Sequence, residues 1–155
     1  MTAERPSPRL VFEDASFRLV HAEGCLVPGY LVLWCKRAPL GLQRASAEAT
    51  RRLGPLLGRA ARAIAAAVEA ERVYCLSFGE LEPRLHFHLF PRTRWLLERY
   101  WEGTGSGRDP VNGPALFEWA RTALVPGHAS PPPGPGVDEV TARLRAALRR
   151  RRGGS

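Results

Sequence analysis

Two histidines, His86 and His88, lie two residues apart in the segment RLHFHLFPR (84–92), and Arg84 precedes the first of them by the same spacing. Side chains alternate between the two faces of a β-strand, so a strand here places all three on one face, with the intervening apolar residues on the other. Alternate residues lie roughly 6.6 Å apart, a spacing that allows the three side chains to bracket one phosphate-sized group. A neutral imidazole is a competent nucleophile at pH 7, and a guanidinium binds phosphate oxygens through paired hydrogen bonds. Nucleophilic chemistry on phosphorus is therefore one interpretation of the pattern.

Two other interpretations of the histidine pair stay open. In one, the two histidines are solvated or hydrogen-bonded on the outer face of a sheet. In the other, they supply two imidazole ligands to a metal ion. A metal site needs a third ligand, and His21 and His128 have no spacing relation to the pair. Arg84 next to a divalent cation is also unfavourable. We therefore expect neither a metal nor another cofactor.

The elements that must position these side chains are strands followed by helices. The sequence predicts a β-hairpin over 9–22, a buried strand over 30–36, a helix over 44–71, paired strands over 72–79 and 84–90, a helix with Pro114 in its first turn, and a last helix over 137–150. Aromatic residues that follow the histidine motif are expected to pack the C-terminal segment onto the sheet: Trp95, Tyr100, Trp101, Phe117 and Trp119.

The long helix shows an apolar face with a spacing of three and four residues, comprising Leu53, Leu57, Ala60, Ile64 and Val68. Ser46 is the expected N-cap. Pro55 is expected to kink the helix or to delay its start to near that position.

These elements predict an α+β fold, with an antiparallel sheet of about five strands, the long helix packed on one face, and a C-terminal helical extension. We expect one domain over 9–125 that includes the helical extension. A Pro- and Gly-rich linker over 126–136 and a C-terminal helix with a basic tail over 137–152 follow it.

Composition limits the class of protein. The chain has 155 residues, 45% of them apolar, which suits one globular domain. No apolar run approaches the ~20 residues that span a bilayer, and the first ten residues lack a signal-peptide core, so a cytoplasmic protein without membrane contact is expected. The cysteines are odd in number and form no CxxC pair, which favours buried, reduced thiols at Cys25, Cys35 and Cys75.

Half of the formal net charge of +8 comes from the run Arg149 to Arg152. The remaining mildly basic body suits phosphate-bearing ligands as well as nucleic acid. The run itself is either a solvated tail or a contact for nucleic acid.

The segments GYLVLWCKR (29–37) and RLHFHLFPR (84–92), with the long helix between them, resemble the histidine triad (HIT) superfamily of nucleotide hydrolases and transferases. The signature of that superfamily is His-x-His-x-His-x-x on a strand, with apolar x residues and often a following Pro-Arg. The resemblance covers roughly residues 9–92 and implies a HIT-like fold. It also implies that His86 is the nucleophile of a nucleotidyl-histidine intermediate, which water then hydrolyses, and that His88 contacts the oxygens of the scissile phosphate.

This sequence departs from the superfamily pattern at several positions. Arg84 stands in place of the first histidine, and only Glu80 to Pro83 remain of the usual phosphate loop. The resemblance implies four further nucleotide-binding positions: Tyr30 in place of an accessory histidine, Ser77 in place of an asparagine, Glu23 near the ribose-binding position, and Arg92 in the Pro-Arg pair.

We hypothesise that Arg84 binds phosphate oxygens, stabilises charge in the transition state and lowers the pKa values of both histidines. In the alternative, Arg84 is solvated or pairs with Glu80 or Glu82, and the site is a relic. The expected function is hydrolysis or nucleotidyl transfer at the phosphate of a dinucleoside polyphosphate, a nucleoside phosphoramidate or a similar conjugate. The other class is a catalytically degenerate nucleotide- or nucleic-acid-binding protein of the HIT fold. The resemblance also implies a homodimer.

Overall fold

A computed structural model describes residues 7–37 and 39–150 of the chain, so Arg151 and Arg152 of the basic run lie outside the described residues. These described residues form five strands and four α-helices: β1 (Leu10–Glu13), β2 (Phe17–His21), β3 (Leu31–Cys35), α1 (Ala47–Val68), β4 (Arg72–Leu76), β5 (His86–Arg92), α2 (Arg94–Thr104), α3 (Gly113–Ala123) and α4 (Val137–Arg149). A short 3₁₀ turn, Leu42–Arg44, precedes α1.

The five strands form one antiparallel sheet in the order β1-β2-β3-β5-β4. The sequence prediction of an α+β fold with about five strands is therefore confirmed. Strand β5 lies inside the sheet, between β3 and β4. The register of β3 with β5 places Trp34 opposite His86 and Val32 opposite His88.

Helix α1 begins at Ala47, and the Oγ of Ser46 accepts a hydrogen bond from the N–H of Ala49 at 3.1 Å, as expected for an N-cap. The expectation of a late start near Pro55 is wrong, because the helix runs through this residue. Pro55 and Arg51 are both exposed, so water can solvate the carbonyl of Arg51 that loses its intrahelical donor.

One face of the sheet packs against α1 and α4. Its core includes the inward residues of the central strands and of both helices, among them Leu19, Leu31, Leu33, Leu89, Ala60, Ile64, Val140, Leu144 and Leu148. The guanidinium of Arg145 in α4 also donates to the carbonyl of Leu10 at 2.8 Å. The C-terminal helix therefore belongs to the main hydrophobic core. The predicted division into a domain, a linker and a C-terminal helix stays a prediction, although residues 126–136 form no helix or strand.

The opposite face packs against α2 and α3 through a second core that includes Tyr30, Val32, Phe90, Leu96, Leu116 and Phe117. Alternation along β5 separates the two cores, since Leu89 is buried in the first and Phe90 in the second. Both histidines of β5 lie on the face that α3 partly covers.

Two expectations about local structure need correction. Strand β5 begins at His86, so Arg84 lies in the connection before the strand. Cys75 is exposed, whereas Cys25 and Cys35 are buried as expected. The reason is that β4 is an edge strand, so an apolar run in the sequence did not guarantee burial there. None of the helices within the described ranges is long and apolar enough to cross a membrane.

Candidate functional site

His86 is held by a backbone hydrogen bond and an aromatic stack. Its Nδ1 lies 2.7 Å from the carbonyl oxygen of Arg84, and a carbonyl only accepts, so Nδ1 carries the proton in the neutral ring. Nε2 then keeps its lone pair. The indole of Trp34 stacks on the imidazole, with 4.5 Å between the ring centroids, and only 7% of His86 is exposed. This arrangement fixes both the tautomer and the plane of the ring.

His88 is hydrogen-bonded to a buried tyrosine. The Oη of Tyr30 lies 2.7 Å from Nδ1 of His88. Burial raises the pKa of the Tyr30 phenol, so the hydroxyl remains protonated and available as a donor. Burial, the neighbouring His86 ring and the charge of Arg121 together lower the pKa of His88 to about 4. His88 is therefore neutral at pH 7.

Tyr30 reaches His88 because of a tight turn just before β3. Gly29 has φ 83°, in the left-handed region that favours glycine, and a Cβ at this position would lie 3.3 Å from Cγ1 of Val68 in α1. The turn directs the chain into β3 with Tyr30 on the histidine side. The phenol ring contacts Phe90 and Phe117 edge to face, at 5.2 and 6.0 Å between centroids.

A cavity of about 300 Å³ lies beside His88. Its lining includes Tyr30, His88, Glu23 and two residues of α3, Glu118 and Arg121. Arg121 and Glu118 form an ion pair at 3.7 Å. We define this space as the His88 cavity.

A second cavity, of about 660 Å³, extends over β1, β2 and β3, and we define it as the basic cleft. It adjoins the His88 cavity, because Ala22, Glu23 and Val32 line both. Trp34 forms part of its wall, whereas His86 lines neither cavity.

Arg84 is engaged by Glu82. Its Nε and Nη2 donate to the two carboxylate oxygens at 2.8 Å each, and its guanidinium carbon lies 5.0 Å from the Trp34 ring centroid. The hydrogen bonds from Arg84 lower the pKa of the Glu82 carboxyl to about 2. This geometry matches the ion pair that the sequence allowed as an alternative. A role for Arg84 in phosphate binding stays a prediction, and the pKa of His88 is lowered by burial, His86 and Arg121 rather than by Arg84.

The other four sequence candidates divide into two groups. Tyr30 and Glu23 share the His88 cavity with His88. Ser77 is exposed just beyond the end of β4 and lines neither cavity. Arg92 donates to Glu71 at 2.9 Å and lies four residues along β5 from His88, roughly 13 Å away.

Two residues near the histidines were missed in the sequence. Arg121 lies 33 positions after His88, in helix α3, and no local motif marks it. Trp34 lies within the apolar run of β3. That run predicts a buried strand but does not identify any one of its residues as part of a site. Only the β3–β5 register, which the sequence does not specify, places it on His86.

Within the described ranges, no group of three or more His, Cys, Asp or Glu side chains could hold a metal ion. His21 is fully buried, with Nδ1 2.9 Å from the carbonyl of Ala22 and Nε2 3.2 Å from that of Val27. Both ring nitrogens of His21 therefore contact backbone carbonyls, and the ring does not face His86 and His88 on β5.

Comparison with solved structures agrees with this architecture. A Hit-like protein from Bartonella henselae, described as involved in cell-cycle regulation, aligns with a TM-score of 0.58 and 19% identity over 94% of this chain and 89% of its own. A zinc-bound histidine triad family protein from Mycobacterium smegmatis aligns with a TM-score of 0.55 and 17% identity, over 93% and 85% of the two chains. A uridylyltransferase aligns with a TM-score of 0.56 and 17% identity, over 92% of this chain but 41% of its own. No protein-family model matches the sequence, and no curated protein matches it significantly.

The chain therefore has the histidine triad fold, a five-stranded antiparallel sheet with a long helix on one face. In this chain, two histidines lie on a central strand of the sheet, next to a tyrosine, a tryptophan and an arginine from other parts of the sequence.

Proposed function

We propose that this protein is a nucleotide hydrolase or nucleotidyltransferase that acts at a nucleotide phosphate through a covalent intermediate on His86. One observation carries the proposal: the Nδ1–H of His86 is fixed on the carbonyl of Arg84 at 2.7 Å, which leaves Nε2 as the nucleophilic nitrogen. Among the described residues, Nε2 has no hydrogen-bond partner. The likeness to a uridylyltransferase is one of fold, and it is consistent with this chemistry.

The neighbouring groups suit a phosphate that reacts at His86. With Tyr30 donating to Nδ1 of His88, the neutral His88 ring keeps its proton on Nε2, and this N–H can donate a hydrogen bond to a phosphate oxygen. Arg121, in the same cavity, is paired with Glu118 at 3.7 Å and can contact a phosphate oxygen by leaving that carboxylate. A cavity of about 300 Å³ holds a phosphate together with part of a nucleoside.

In the reaction, Nε2 of His86 attacks phosphorus and the bond from phosphorus to the leaving group breaks. Water then attacks the phosphorus, the N–P bond breaks, and the imidazole is restored. The expected substrates are dinucleoside polyphosphates, nucleoside phosphoramidates or similar conjugates. A homodimer and a cytoplasmic location belong to the same proposal.

A second candidate function is that of a nucleotide- or nucleic-acid-binding protein without turnover. Two observations favour it: Trp34 stacks on His86, which is only 7% exposed, and Arg84 is paired with Glu82. His86 lines neither cavity, whereas His88 lines the His88 cavity, so binding there does not require contact with His86.

The test is incubation with a panel of adenine and guanine nucleotide conjugates, followed by digestion at neutral pH and mass spectrometry. The tryptic peptide 85–92 contains both histidines, so a nucleotidyl adduct is expected on it, with fragmentation assigning the adduct to His86. His86→Ala should abolish the adduct and lower turnover by about 10³-fold or more. His128→Ala, at an exposed loop position, is the matched control and should retain both.

Neither adduct nor turnover from any conjugate, or turnover that His86→Ala leaves intact, would contradict the proposed enzyme. Binding that survives His86→Ala without turnover would support the second candidate. Binding to nucleic acid should then weaken steeply as salt increases.

A further inference from the structure

The basic cleft begins one strand away from His86. Strand pairing aligns Arg18 of β2, Trp34 of β3 and His86 of β5 in one row across the sheet. Neighbouring strands are about 4.8 Å apart, so the backbones of Arg18 and His86 are roughly 10 Å apart. An extended group attached to a phosphate at His86 can therefore reach Arg18.

The cleft has an excess of positive charge. Four described cations line it, Arg9, Arg18, Lys36 and Arg84, against the carboxylates of Glu13 and Glu23.

Two of these cations are already engaged: Lys36 pairs with Glu13 at 3.2 Å, and Arg84 pairs with Glu82. The guanidinium of Arg9 donates to the carbonyl of Ala22 at 3.3 Å, and neither Arg9 nor Arg18 has a carboxylate partner among the described residues. Within the described part of the chain, no carboxylate neutralises the guanidiniums of Arg9 and Arg18, which can therefore contact an anion of the ligand.

Neither Tyr30 nor His88 supplies a strong acid on the histidine face. Tyr30 has a raised pKa, and His88 has a pKa of about 4, so neither is a ready proton donor at pH 7. The guanidinium of Arg84 stays protonated through its pairing with Glu82. A leaving amine must gain a proton as its bond to phosphorus breaks, whereas a leaving phosphate can depart as an anion that cations stabilise.

We propose that the basic cleft is a subsite for an anionic leaving group, and that the preferred substrate is a phosphoanhydride, whose leaving group is a phosphate or oligophosphate. This inference rests on the proposed function. Nε2 of His86 attacks the nucleotide phosphorus, the P–O bond to the bridging oxygen breaks, and its electron pair stays on the leaving phosphate. That phosphate moves into the cleft toward Arg18 and Arg9 without taking a proton from the protein, and water later cleaves the N–P bond.

The experiment compares two substrates that share one nucleotidyl group, a dinucleoside polyphosphate and a nucleoside phosphoramidate. The kcat/KM for the anhydride is expected to exceed that for the phosphoramidate by tenfold or more. Arg18→Gln should lower kcat/KM for the anhydride about tenfold, the effect of losing one charge-assisted contact of ~1.4 kcal/mol, and should leave the phosphoramidate unchanged. Arg51→Gln, an exposed position on α1, makes the same charge change on the opposite side of the sheet and should alter neither value.

Binding of inorganic tripolyphosphate gives a readout that does not need turnover. Calorimetry should show binding to the wild type that Arg18→Gln weakens about tenfold and Arg51→Gln does not. Equal or better use of the phosphoramidate, or an equal effect of Arg18→Gln on both substrates, would overturn the leaving-group proposal while His86-dependent turnover preserved the proposed function. Tripolyphosphate binding that is unaffected by Arg18→Gln would also count against the cleft, and no turnover of either substrate would overturn both proposals.

Discussion

At the scale of single residues, Tyr30 and Arg121 determine how His88 can act. Tyr30 fills the position beside Nδ1, while burial and, to a smaller extent, the charges of His86 and Arg121 disfavour the protonated His88 ring. The resulting neutral ring is a hydrogen-bond donor rather than an acid. His88 therefore does not have to lose a proton before an anionic phosphate binds.

The charge state of His88 can be measured directly. NMR titration of the imidazole protons should place the pKa of His88 well below the ordinary 6.5, near 4. Arg121→Gln should raise this pKa, because it removes a positive charge from the same cavity, and Arg51→Gln should leave it unchanged. A wild-type pKa at or above 6.5, or no response to Arg121→Gln, would show that the environment of His88 is different from the one described.

The lowered pKa also makes stability depend on pH. Between pH 6.5 and about 4 the unfolded chain binds a proton at His88 that the folded chain does not, so the stabilisation is complete above pH 6.5 and is lost as pH falls toward 4. His21, whose pKa burial also lowers, acts in the same direction. Urea unfolding at several pH values should show a smaller loss on acidification in His88→Gln than in the wild type.

At the scale of elements, the strand pairings matter more than the strands themselves. The alternation of β5 was readable, because apolar and polar residues follow a period of two over Leu85 to Leu89. The partner of each histidine was not, since several apolar residues of β3 could have paired with them. The register chose Trp34 and Val32, and a slip of one residue would have exchanged the faces.

The N-cap of α1 was predicted from the sequence and confirmed in the structure, and a substitution can measure its contribution to stability. Ser46→Ala removes the acceptor for the Ala49 N–H and should lower the free energy of unfolding by about 1 kcal/mol. Ser130→Ala, at an exposed loop position, should change it by less than about 0.5 kcal/mol. Urea denaturation monitored by circular dichroism compares the two, and equal stability of both variants would mean that the cap contributes nothing.

At the scale of the whole molecule, helices cover both faces of the sheet. Helices α1 and α4 bury one face, whereas α2 and α3 cover part of the other and leave room for the His88 cavity and the basic cleft. The guanidinium of Arg59 in α1 donates to the carbonyl of Leu148 at 2.9 Å, which ties the two helices together. The last helix therefore supports the side of the sheet opposite to the site.

Replacing Leu144 tests whether α4 is integral to the fold. Its side chain is fully buried in the core that α1 and the sheet share, so Leu144→Ala should destabilise the whole protein by about 2–5 kcal/mol. Leu81 is 98% exposed, and Leu81→Ala, the same chemical change, should be close to neutral. A Leu144→Ala variant as stable as the wild type would make α4 a separate appendage.

The periodic spacing of apolar residues could be interpreted without a structure. Alternation on β5 and three-to-four spacing on α1 record which side of each element is buried, so the order of elements, the fold class and the two histidines on a common face followed from them. Tyr30 was a sequence candidate, and Glu82 was one of two partners that the sequence allowed for Arg84. Arg121 and Trp34 could be identified only in the folded molecule, because they reach the histidines through helix packing and strand register, which depend on contacts that no local period encodes.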